Sequence, residues 1–80
     1  MRVIVETATG LSKYVFADSE VIVSLPDHIK IGDPVRFIIG DLGSGQVTIT
    51  DNVTDVPEDW IGNKYLFDGT TWTLNPGWVR

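Results

Sequence analysis

Four carboxylates, Asp51, Asp55, Glu58 and Asp59, fall within nine residues. Side chains of that type at that density can bind calcium or serve as a general acid and base. A calcium loop of the EF-hand kind wants acids at positions 1, 3 and 5, glycine at 6 and glutamate at 12. Counting from Asp51, the third, sixth and twelfth positions are Val53, Val56 and Gly62, so the pattern fails and a solvated acidic loop is expected. A glycosidase pair needs its carboxyl groups about 5 to 9 Å apart, which spacing along the chain cannot establish, and 80 residues leave little room for a substrate cleft. The single histidine, His28, stands between Asp27 and Ile29 beside Pro26, and no G-x-S-x-G nucleophile motif accompanies it. It is expected to be a solvent-exposed loop residue. Cysteine is absent, which removes thiolate metal sites and disulfides together. The glycines of "GDLGSG" (40–45) join two strand candidates with no helix after them, whereas phosphate-binding glycine loops need a helix N-terminus. Asn52-Val53-Thr54 fits a glycosylation sequon, with no secretory signal to give it meaning. No catalytic set, metal or cofactor is expected, and the chain reads as non-enzymatic.

The elements that would position any site are strands. Apolar residues alternate with period two, and no 3.6-residue period is sustained. "RVIVET", "KYVFA" and "EVIVSL" are β-branched or aromatic runs separated by turn residues, with Tyr14 and Phe16 on one face of the second. Pro26 ends the third run, and "PDHI" is the one candidate for a helical or 3₁₀ turn. Gly32-Asp33-Pro34 makes a tight turn into "VRFII", which places Val35, Phe37 and Ile39 on one face. "DLGSG" then reads as the flexible tip of a hairpin over 35–50 that returns through "QVTIT". Asp68-Gly69 between two aromatic runs is a strong hairpin signal. Seven strand candidates, with turn signals about every ten residues, predict an all-β fold: a small antiparallel β-barrel or sandwich with a C-terminal aromatic β-hairpin. One domain over 1–80 is expected, with a β core in 1–50 and an aromatic hairpin and tail in 57–80.

Composition narrows the partners. A chain of this size buries only about 60% of its unfolded surface, and without disulfide or metal the usual remaining support is oligomerisation. Eleven acids against six scattered bases give a net charge of −5, which disfavours nucleic acid because phosphate neutralisation needs clustered Lys and Arg. No apolar run approaches the roughly 18 residues of a membrane span, and the start lacks the apolar stretch of a signal peptide. Synthesis in the cytoplasm is expected. Both ends, Met1 and Arg80 included, are expected to pair within a sheet or pack on another chain.

All three tryptophans lie in the last quarter of the sequence. They could close a core, stack on a ligand or meet another subunit. Tyr65, Phe67 and Trp72 alternate within the hairpin runs, and cross-strand aromatic pairs there would stabilise by roughly 0.2–1 kcal/mol each. Trp60 and Trp78 stand beside turn residues, outside that alternation, where tryptophan often serves as a contact. Trp60, Trp72, Trp78 and Tyr65 are therefore the candidate partner- or ligand-binding residues, with a saccharide as one ligand that exposed rings would suit.

The segment "VPEDWIGNKYLFDGTTWTLNPGW" resembles the ends of small proteins of tailed bacteriophages, particularly phages of aquatic bacteria and cyanobacteria. It is similar also to short Y-x-x-D-G-x-x-W hairpins of phage tail-fibre proteins and their assembly factors. The matching positions are Pro57, Trp60, Gly62, Lys64, Tyr65, Asp68, Gly69, Trp72, Asn75 and Pro76, about a quarter of the chain. The resemblance implies a phage origin and brings no functional residues. With no catalytic set, a small core and aromatics placed to reach a neighbour, the expected role is that of a virion structural protein, a capsid decoration or tail-associated protein contacting other virion proteins or itself. The alternatives are a saccharide-binding tail module and an early phage protein that binds a host factor.

Overall fold

The computed structural model describes residues 1–78; Arg80, one of the two ends expected to be tied down, lies outside them. Among the described residues eight strands form in chain order: β1 (Arg2–Glu6), β2 (Ser12–Phe16), β3 (Ile22–Ser24), β4 (Ile29–Ile31), β5 (Phe37–Ile39), β6 (Val47–Thr50), β7 (Tyr65–Phe67) and β8 (Trp72–Leu74). All pairing is antiparallel, in three sheets ordered β2-β1-β6, β3-β4-β5 and β7-β8. The fold is all-β, and the C-terminal aromatic hairpin is present.

The sheets stack in layers because β1 is apolar on both faces. Ile4, with its cross-strand neighbours Tyr14 and Ile49, faces Ile29, Ile31 and Ile39 of the β3-β4-β5 sheet, and Leu42 completes that core. Val3 and Val5 point the opposite way and pack with Val53 and Phe67, flanked by Val15, Val56 and Trp72. A strand buried on both faces needs an unbroken apolar run, and "VIV" at the centre of β1 supplies it. The hairpin β7-β8 thus shares a core with the first strand. Met1 is also tied in, its amino group donating to the Val53 carbonyl at 2.7 Å.

Between Ile4 and Val5 the β1–β2 register slips by one residue, so that Val5 stands opposite Ser12. Such a bulge re-aims the side chains beyond it. Here it turns Ser12, which is fully buried, toward the hairpin.

Several sequence expectations are corrected. Residues 35–50 do not form a hairpin: β5 pairs with β4, and β6 pairs with β1. The reason is Leu42, buried in the core between them, which holds "DLGSG" down instead of leaving it as a mobile tip. The Ser44 amide bonds to the Leu25 carbonyl at 2.9 Å, and the Gly43 amide to Gln46 Oε1 at 2.9 Å. Strand β5 starts at Phe37, leaving Val35 outside it and exposed. Pro26-Asp27 form no helical turn; they link β3 to β4, closed by the Leu25 amide on the His28 carbonyl at 2.8 Å. Strand β4 is the one not expected, and it brings the described strands from seven to eight.

Gly43 lies so close to Pro26 that a Cβ there would run into the Pro26 carbonyl, whereas one at Gly45 would meet nothing. Gly43→Ala should therefore lower the melting temperature by several degrees, and Gly45→Ala should leave it nearly unchanged. Thermal unfolding of the two variants checks this.

Candidate functional site

The acidic residues of the loop after β6 do not converge. Asp51 accepts from Arg2 Nε at 2.6 Å, and Asp55 Oδ1 accepts from Trp72 Nε1 at 3.2 Å. Asp59 takes Lys64 Nζ and the Tyr65 hydroxyl on its two oxygens, both at 2.7 Å. Glu58 is exposed. Each paired acid clamps a different element of the fold. Among the described residues no three His, Cys, Asp or Glu side chains gather in a metal-binding group. His28 is half-buried, with Nδ1 at 2.6 Å from Asp27 Oδ1.

These clamps have a pH signature. Hydrogen bonds from Lys64 first, then Tyr65, hold the Asp59 carboxyl below its ordinary value. Asp68 is lowered by the backbone amides of Thr71 and Thr70, Asp18 by the N-terminal amino group, and Asp27 by His28. A carboxyl whose folded pKa is depressed adds stability above its unfolded pKa, lost as pH falls through the folded value. The Tyr65 hydroxyl, raised by donation to Asp59, adds the opposite limb: stability present below its unfolded pKa and lost as pH rises through the folded one. The melting temperature should hold between the carboxylate and tyrosine ranges and fall outside them. Asp59→Asn should weaken both limbs.

The four aromatic candidates are not equivalent. Tyr65 and Trp72 meet edge-to-face at 6.3 Å, and Trp72 stacks on the buried Phe67 at 4.2 Å and 24°. Trp60 is half-buried; its Nε1 donates to Ser12 Oγ at 2.9 Å, and that hydroxyl donates to the Tyr65 carbonyl at 2.7 Å. Trp60 therefore sits on a polar lock between β2 and the hairpin, and its turn-rich flanks do not leave it free. Trp78 is half-buried as well, with its amide on the Asn75 carbonyl at 3.0 Å. The structure joins Trp60, Tyr65 and Trp72 through Ser12 and Phe67, and they fasten the hairpin to the sheet.

The hairpin region exposes Ile61 and Leu74, but the exposed apolar row that crosses a whole sheet lies elsewhere. In the β3-β4-β5 sheet, Val23, Lys30 and Ile38 stand opposite one another across the three strands. Ile22, Ile29, Ile31 and Ile39, their neighbours in sequence, pack on the core, so this row points outward. Val23 is 44% exposed and Ile38 55%; Val21, two residues before Val23, is exposed as well. Lys30 makes no ion pair among the described residues. In "EVIVSL" Val21 and Val23 share one alternating set and Ile22 lies on the other; Ile22 packs on the core and the two valines are left outside.

A second feature is a groove of about 220 Å³ where the hairpin turn overhangs the central sheet. Val5 and Phe67 contribute apolar wall, Thr7, Thr48 and Thr50 hydroxyls, and Asp68 a carboxylate.

No family model, curated protein or solved structure matches the chain. Among the described residues no helix is long and apolar enough to cross a membrane.

Proposed function

We propose that the chain is a non-enzymatic structural protein of a phage particle, a capsid decoration or tail-associated protein, working through protein–protein contact. The observation that carries this is the outward row Val23–Lys30–Ile38, with the exposed Val21 two residues before Val23. An exposed apolar patch on a small protein is the ordinary mark of an interaction surface. The particle as setting rests on the C-terminal segment's resemblance to phage proteins. Lys30 gives the contact its chemistry. A two-fold pairing of this face with itself would bring Lys30 toward its own copy, so the face suits a different protein that presents apolar side chains around a carboxylate. The accessible surface of 4918 Å² is close to the roughly 4,800 Å² of a compact monomer of this mass. The saccharide alternative gains little, because Trp60 and Trp72 are engaged within the chain. Quantitative mass spectrometry of purified particles tests the reading: a fixed ratio to a major virion protein is expected. Abundance in infected cells with absence from particles would instead favour the host-factor alternative.

A further inference from the structure

A second surface, independent of the outer face, lies along β6. The Thr7 amide donates to the Gln46 carbonyl at 2.9 Å, which makes Thr7 and Gln46 a hydrogen-bonded pair. In an antiparallel ladder such pairs alternate with non-bonded ones. With the register Val5↔Thr48 and Val3↔Thr50, Thr48 and Thr50 turn their backbone groups toward β1. Val47 and Ile49 turn theirs away. The sheet order β2-β1-β6 places no strand on that side, and no described residue bonds those amides and carbonyls.

This edge is short, four residues, but its side chains do nothing to block pairing. Proteins usually blunt an edge with lysine, proline or a bulge, and "VTIT" has none of these. Beside the edge lies the groove that Thr48 and Thr50 line together with Asp68 of the hairpin turn. Asp68 Oδ1 accepts from the Thr70 amide and hydroxyl and the Thr71 amide, at 2.7 to 3.0 Å. No donor among the described residues reaches Oδ2.

We infer that β6 receives an extended peptide segment as an added strand, with a lysine or arginine of that segment on the free oxygen of Asp68. Main-chain bonds to Val47 and Ile49 hold such a strand, and side-chain pockets select it. Every second side chain of the added strand lies on the face of Thr48 and Thr50, which is the face of the groove. A second copy is the poorer occupant: two four-residue edges bury far less than the roughly 1,200 Å² of a stable interface, and each chain carries a charge of −5.

The test uses the full chain, labelled with ¹⁵N, and two probes: acetyl-Thr-Val-Lys-Val-Thr-Val-amide and the same peptide with glutamate replacing lysine. At millimolar peptide, the lysine probe should shift and protect the Val47 and Ile49 amides, and the glutamate probe should bind on the order of tenfold more weakly. Asp68→Asn, which keeps the Oδ1 acceptor of the turn, should bring the two probes to equal affinity. Absence of shifts at Val47 and Ile49 with the lysine probe overturns the inference, as does equal binding of both probes to the unaltered chain. Protection of these amides that rises with protein concentration alone overturns it in favour of a second copy.

Discussion

Phe67→Ala should leave little folded protein at 37 °C. Phe67 is 3% exposed, packs on Val3, Val5 and Val53, and stacks on Trp72. Truncating a buried phenylalanine to alanine costs about 3–5 kcal/mol, and an 80-residue domain has roughly 4–12 kcal/mol in all. The loss is concentrated because Phe67 is the main apolar link between the hairpin and the central sheet. Trp72→Ala should cost less, since the ring is half-buried, though it also removes the bond to Asp55. Chemical denaturation read by tryptophan fluorescence orders the two. If Phe67→Ala unfolds at the same midpoint as the unaltered chain, the hairpin does not complete the core.

Ile38→Asp should have the opposite profile, folded but unable to bind. Ile38 is 55% exposed and stands opposite Lys30, so an aspartate there is solvated and faces a cation. Exposed substitutions of this kind usually stay within about 0.5 kcal/mol, and the melting temperature should barely move. At the proposed contact the change removes an apolar anchor and neutralises the charge beside it. A loss of 2 kcal/mol or more, about thirtyfold in affinity, is the scale expected of such an anchor. Rebinding of the variant to particles that lack the chain measures it. Binding as tight as that of the unaltered chain would remove the outer face from the account.

Much of the fold was legible because its signals are local. The β-branched run 3–5, the Asp68-Gly69 turn and the alternation of Tyr14 with Phe16 each specify a strand or hairpin within a few residues, and the structure has them. What was not legible depends on distant partners. Nothing near Leu42 announces that it is buried, and without that fact residues 35–50 look like a hairpin. Strand β4 is only Ile29–Ile31, too short to stand out between two turns, and it is held by neighbours on both sides. Trp60 looked free because Pro57 and Gly62 surround it, yet its acceptor, Ser12, is 48 residues away and faces it only because of the bulge in β2. The outer face was hidden differently. Its residues were read for the side that faces the core, and the apolar residues left on the other side are the ones that make the surface.

Lysine-reactive labelling of the chain, free and bound in purified particles, tests the central claim that the outer face is the contact. Lys30 lies in the middle of that face, and Lys13, paired with Glu6 at 3.9 Å, lies on the central sheet and serves as the internal reference. The account predicts that Lys30 loses most of its reactivity in the particle relative to Lys13. Equal labelling of Lys30 in the free and particle-bound chain would contradict it.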